Sequence, residues 1–400
     1  MLIRDAEVGG WRVDVRVGDR VEAIGALTPS AGEDIVDAAG GALLPGLHDH
    51  HIHILSLAAS LASVRLEDVA TAPVGDDGWV RVVGWDGSVD LDRERLDGLR
   101  MDTPVRVQHR SGQLWVVNTA GLAGLGLDPG SDGRLYRQDA RLRCRLPAVM
   151  PDVARVGRLL AGFGVTGVTD ATVSNGPVEA ASIATLTQRV VVMNVTAGAP
   201  RKLVLAEADL PALADFAAAV AAAHAAGRPA AVHAVTRAEL VLALAVVAAG
   251  DRVEHAGVCP PELAVVLAER GVTVVTQPHF PVERAAQYTA DVDVDDQPWL
   301  YPCALLVAHG VPLGAGTDAP FADPDPWKVI AAAIARGLPP ARALALFLTP
   351  ADAPGGAVRR VAAGVPADLC LLHVGLRDAL AAPSAALVRA TWVGGVLLER

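Results

Sequence analysis

Histidine, aspartate and lysine recur along this chain at a spacing that could hold a metal ion and activate water. The densest stretch is Pro45-Gly46-Leu47-His48-Asp49-His50-His51-Ile52-His53. Read as a strand, it sends successive side chains to opposite faces. Asp49, His51 and His53 then share one face, and His48 and His50 the other. Two imidazoles two residues apart can grip one ion from the same side, and imidazole suits zinc and its neighbours in the transition series. The apolar run Ala42-Leu43-Leu44 leads into the motif as a buried strand would. The plain alternative is a histidine-rich surface turn. Further candidate ligands downstream, in an interpretable order, argue against it.

Those ligands need elements to position them. Strand-like runs occur at 165–170, 202–205, 230–233, 252–255, 272–277 and 311–318, with helical stretches near 210–226, 237–249, 260–270 and 301–309. Repeated βα units of this length predict an α/β fold with a parallel sheet, and their number favours a closed (β/α)8 TIM-like barrel over 45–354. Active residues of such a barrel sit at the C-terminal ends of its strands. His233, His255 and Asp318 each end an apolar run. Lys202 instead begins its run. An ammonium is repelled by a cation, so Lys202 could be a ligand only as a carbamate, whose negative charge can bridge two metals. The plain alternative for it is a solvated Arg201-Lys202 turn.

Both ends of the chain read as sheet. Leu2–Val8 and Trp11–Val17 alternate around Gly9-Gly10, and 367–373, 387–393 and 396–398 behave alike. Residues 1–44 and 355–400 are therefore expected to build one small composite β-sandwich domain. Residues 62–150, with Trp79, Trp85, Trp115 and many Gly/Asp turns, break the βα rhythm and read as a cap-like insertion after the first barrel strand.

The set resembles the amidohydrolase superfamily, which shows HxH after strand one, lysine at strand four, histidines after strands five and six, and aspartate after strand eight. Here the pattern falls on His51, His53, Lys202, His233, His255 and Asp318. The HxH stretch, Val253-Glu254-His255-Ala256 and Gly314-Ala315-Gly316-Thr317-Asp318-Ala319-Pro320 are similar to the branch, of amidohydrolase family 3 type, that contains N-substituted formamide deformylase. The resemblance implies metal-dependent hydrolysis of non-peptide C–N bonds, in linear or cyclic amides or N-substituted formamides. An esterase or lactonase on the same site is the alternative, and a non-catalytic scaffold a third reading that the intact ligand set disfavours.

On that expectation one or two divalent ions, zinc by preference, lower the pKa of a bound water and polarise the substrate carbonyl. His51, His53 and Asp318 hold the first ion. Lys202, His233 and His255 hold the second. Asp318 also serves as general base and then acid, and Asp49 orients a ligand from behind. His279 and His109 are candidates for substrate contact, each with a packing role as the alternative. Trp115 reads as core.

Composition bounds the rest. Hydrophobic residues make up 52% of the 400 and charged residues 20%, a globular balance. A net charge of -11 and the lack of any Lys/Arg-rich run argue against nucleic acid, leaving a small-molecule substrate as the expected partner. Four scattered cysteines and an N-terminus without a signal-peptide apolar region suggest a reduced, cytoplasmic protein. The Ala/Val/Leu stretches near 217–226 and 240–249 are too short to span a bilayer. Apolar surface on the small sheet domain could support a homodimer.

Overall fold

The alternating N-terminal residues form strands because each can bury one side of its pleat. A computed structural model describes residues 1–399 apart from 110, 111, 139, 140, 143, 148 and 149. In it β1 (Leu2–Val8) and β2 (Trp11–Val17) pair antiparallel across Gly9-Gly10, both at positive φ. With β3 (Val21–Gly25) and β4 (Ile35–Asp37) they make a sheet of order β3-β2-β1-β4. Next come β5 (Leu43–Pro45) and β6 (Leu47–Ile52), and every residue of β6 is buried.

Residues Ile54–Val156 form one compact unit, and Met1–His53 with Gly157–Arg400 another. The first unit holds β7 (Val80–Trp85), β8 (Val105–His109), β9 (Leu114–Val117) and β10 (Arg134–Tyr136), ordered β10-β9-β8-β7 with β7 parallel to β8. Val82, Leu96 and Val107 pack in one cluster and Trp79, Trp115 and Leu122 in a second, so Trp115 is core.

In the other unit the βα rhythm continues through β11 (Val165–Asp170), β12 (Arg189–Val192), β13 (Arg201–Val204), β14 (Ala230–Ala234), β15 (Arg252–His255), β16 (Thr273–Thr276) and β17 (Leu313–Ala315). They lie in two parallel sheets, β12-β11-β6 and β13-β14-β15-β16-β17, rather than in one unbroken ladder. The expected closed ring of hydrogen-bonded strands is thus not what the ladders draw. Backbone bonds from Asp318 N to His51 O (2.7 Å) and from His53 N to Ala319 O (2.9 Å) nevertheless tie the segment after β17 to the end of β6. The helices Leu213–Ala225, Arg237–Val246 and Pro261–Glu269 fill the intervals between strands. Thr236 and Glu239 close a capping box on the second of them, satisfying amides that the helix itself cannot.

Two departures from the sequence reading have local causes. The run 311–318 yields only Leu313–Ala315 as strand. Gly316 passes so close to His51 that a Cβ there would lie 2.5 Å from the His51 backbone nitrogen, and Asp318 turns to φ 56°. The strand Arg189–Val192 was not anticipated. Its Val190-Val191-Val192 run is strongly β-forming but too short to show a period.

At the C-terminus β18 (Leu369–Leu372), β19 (Val388–Val393) and β20 (Val396–Leu397) form the sheet β20-β19-β18-β5. Ile3, Val15, Val21, Leu43, Leu369 and Trp392 share one buried cluster, so residues from both termini meet in it. Trp392 is 2% exposed. Trp392→Ala should cost about 3–5 kcal/mol of stability by removing that ring and leaving a cavity. Chemical denaturation checks this, and a loss below about 1 kcal/mol would mean the cluster is not load-carrying. Among the described residues no helix is long and apolar enough to cross a membrane.

Candidate metal centre

Strand alternation on β6 does what the spacing requires. His48 and His50 turn to one side, where His48 Nε2 meets Thr169 Oγ1 (2.9 Å) and His50 Nε2 meets Thr349 Oγ1 (2.9 Å). His51 and, just past the strand, His53 turn to the other. There His51 Nε2 lies 3.4 Å and His53 Nε2 3.0 Å from Asp318 Oδ1. The ligand atoms of His51, His53 and Asp318 all fall within 4.8 Å of one another. His255, at the end of β15, stacks 4.9 Å from His51, and His233 on β14 packs 4.5 Å from His255. Four imidazoles and a carboxylate therefore converge.

On three of these rings the other nitrogen is already engaged. His51 Nδ1 donates to Glu254 Oε2 (2.5 Å), and His255 Nδ1 donates to Gln277 Oε1 (2.8 Å). His53 Nδ1 shares a bond with Thr172 Oγ1 (2.8 Å). On His51 and His255 a proton fixed at Nδ1 leaves Nε2 with its lone pair, which is how a metal-binding histidine is oriented. Glu254 is fully buried and also accepts from Arg252, whose Nη2 reaches the His50 carbonyl at 2.8 Å. Sequence reasoning did not single out Glu254. Its signal was present: two opposite charges, Arg252 and Glu254, on one face of a buried strand need each other.

Lys202 is 3% exposed, whereas its neighbour Arg201 is exposed. The solvated-turn reading fails, because the side chain runs inward. Its Nζ is buried with no hydrogen-bond partner among the described residues, in the field of Glu254 and Asp318. An unpaired buried ammonium is costly. Burial accordingly lowers the amine to about 8.

Burial also holds His51 and His255 below the usual imidazole range and brings His233 to about 3, keeping these rings neutral with lone pairs available. Burial opposes ionisation of Asp318, but the imidazoles of His51, His53 and His255 outweigh it and hold its carboxyl well below the usual range. Asp49 behaves differently. Burial raises it to about 7, and it accepts from Thr317 Oγ1 (2.6 Å), Thr317 N and His51 N. It clamps the peptide that delivers Asp318. His255 (φ 73°) and Asp318 (φ 56°) both sit in the left-handed region, where strain of this kind gathers at functional sites.

The remaining candidates are placed as follows. His279 is buried, gives its Nε2 proton to the Thr317 carbonyl at 3.2 Å, and leaves Nδ1 without a partner among the described residues. His109 lies in the Ile54–Val156 unit, edge-on to Trp85 at 5.2 Å. His224 pairs with Asp251 at 2.7 Å.

The model of the amidohydrolase family matches residues 34–398. The chain belongs to that family. Comparison with curated proteins gives no match. Among solved structures, an uncharacterized metal-dependent hydrolase of Pyrococcus horikoshii is similar with a TM-score of 0.74 at 18% identity, over 100% of this chain and 99% of that one. N-isopropylammelide isopropylaminohydrolase of Burkholderia multivorans is similar with a TM-score of 0.56 at 18% identity, over 100% and 98%. A Xaa-Pro dipeptidase with methionine bound in its active site gives 0.55 at 17% identity, over 100% and 99%. At such identities the likeness is one of fold. The donor set of this amidohydrolase fits a divalent ion on its own chemistry: neutral imidazoles, one ionised carboxylate and one buried amine without a partner.

Proposed function

We propose that this amidohydrolase is a metal-dependent hydrolase of non-peptide C–N bonds, acting on linear or cyclic amides or N-substituted formamides. The observation that carries the reading is the convergence of His51, His53 and Asp318 beside a buried, unpartnered Lys202 Nζ. The eight strands β6 and β11 to β17 are read as the barrel of such an enzyme. Both terminal sheets are read as its small β-sandwich.

His51, His53 and Asp318 would hold one divalent ion, zinc by preference. His233, His255 and Lys202 as its carbamate would hold a second. Bound there, such an ion acidifies water and polarises a carbonyl. The chain's own part is positional and protic. Glu254 keeps the proton on His51 Nδ1, and Gln277 keeps it on His255 Nδ1. Asp49 and Thr317 fix the turn that presents Asp318. A carboxylate oxygen of Asp318 takes the proton of the attacking water and returns it to the leaving nitrogen. Carbamylation of Lys202 takes one proton from the ammonium and a second as the neutral amine joins carbon dioxide, so that two protons leave and an anion replaces a buried cation.

Elemental analysis of protein purified without chelator, then supplied with zinc and bicarbonate, tests the centre. About two equivalents of metal per chain are expected for a bridged pair of ions, and Lys202→Ala should lower this to about one. Carbon-13 bicarbonate should give a carbamate resonance that Lys202→Ala abolishes. One equivalent in both proteins with no carbamate signal would rule out the bridging lysine. A panel of N-formyl amines, cyclic amides, lactones and Xaa-Pro dipeptides then fixes the bond class. Turnover confined to lactones or to dipeptides would overturn the C–N assignment.

A further inference from the structure

The strands that carry the candidate centre at one end open at their other end onto a separate cavity of about 630 Å³. Its wall comes from the N-terminal ends of successive strands: Pro200 before β13, Pro229 before β14, Arg252 on β15, Thr273 on β16 and Pro312 before β17. The turn at 351–356 supplies much of the rest, with exposed Asp352 in it. The lining is mostly Pro, Ala and Gly. Its volume falls within the range of pockets that take small molecules, about 300–1,000 Å³.

One polar group stands out in this lining. Arg252 is 4% exposed and contributes to the wall. Its Nε and Nη2 are engaged by Glu254 and the His50 carbonyl, but Nη1 has no partner among the described residues. A second guanidinium, Arg228, braces the loop on one side through the Thr196 and Ala199 carbonyls, both at 2.9 Å. A buried guanidinium with an open fork position matches a carboxylate better than any neutral group.

We propose that this cavity binds a small monocarboxylate with an apolar body. The carboxylate sits on Arg252 and the body lies along the Pro/Ala/Gly wall, where burial of apolar surface supplies affinity. Asp352 disfavours a second negative charge on the ligand. Arg252 disfavours a cation. The cavity is also wired to the centre: Arg252 bonds Glu254, and Glu254 accepts from His51 Nδ1. A carboxylate on Nη1 draws guanidinium charge away from Glu254. Glu254 then pulls harder on the His51 proton, and Nε2 becomes a better donor. Occupancy should therefore tighten metal binding, and by reciprocity metal should tighten the carboxylate. Only this coupling rests on His51 being a metal ligand.

Calorimetric titration of the full-length, metal-free protein with hexanoate, hexan-1-ol and hexylamine tests the pocket. Hexanoate should bind at least about tenfold tighter than either, the scale of a charge-assisted hydrogen bond. Ala351→Trp and Ala197→Trp fill the cavity from two separate loops outside the centre. Each, if its circular dichroism matches the parent, should weaken hexanoate by about tenfold or more. Equal affinity for the alcohol, or undiminished hexanoate binding in the folded variants, overturns the site. Zinc-loaded protein should bind hexanoate measurably tighter than metal-free protein. Identical affinities would overturn the coupling, while the metal-free titration decides the pocket itself.

Discussion

Asp318→Asn is expected to abolish nearly all turnover of the best amide in the substrate panel while leaving the fold intact. Loss of proton transfer alone predicts a fall of about a hundredfold to ten-thousandfold in kcat. Asparagine suits the test for a backbone reason. Asp318 sits at φ 56°, where Asn is among the few residues that rest comfortably, whereas Ala would add strain to the same turn. The Asp49–Thr317 clamp uses no atom of the Asp318 side chain, so the turn survives the change. An amide oxygen can still face His51 and His53, but it cannot take a proton from water. The measurement pairs kcat with metal content. Retained metal with turnover lost supports a protic role. Retention of more than about a tenth of kcat would sink the general-base assignment.

The residues that converge in the candidate centre were legible because strand spacing forces them together. HxH on a buried strand leaves little freedom, and His233, His255 and Asp318 fall where βα units put strand ends. Asp49 was legible as a neighbour of the histidines, but its actual partner, Thr317, lies 268 residues away and no local pattern announces that contact. Lys202 was legible as a candidate and misleading in position. It stands opposite Ala231, two residues before the pair Val204–His233, so its Nζ reaches the centre only through its long side chain. Sequence gives the Cα, not the reach. The ladder break between the two parallel sheets was invisible for a similar reason, since it depends on where backbones diverge rather than on which residues are apolar. Thr172 and Gln277 belong to no sequence motif, and only their distance to a ring nitrogen distinguishes them.

Glu254→Gln tests the part of the site that sequence reading passed over, and its effect should rival that of losing a ligand. Glu254 carries two duties with one carboxylate. It accepts the His51 Nδ1 proton, and it neutralises Arg252, which is only 4% exposed. Burial opposes its ionisation, but Arg252, Lys202 and His51 outweigh that and hold it well below the usual carboxylate range. Glutamine keeps the volume and can still offer an oxygen to His51. It leaves Arg252 as a buried, unpaired cation close to the candidate ligand His51. Loss of a partner behind a ligating histidine typically costs about 10–100-fold in metal affinity, and the stranded guanidinium pushes the expected value to the upper end. Competition against a zinc chelator reads this directly, without a substrate. A double change with Arg252→Met removes the stranded charge and should restore part of the affinity and most of the melting temperature. Zinc affinity unchanged in Glu254→Gln would show that His51 needs no carboxylate behind it and would remove the wire between the centre and the far end of the strands.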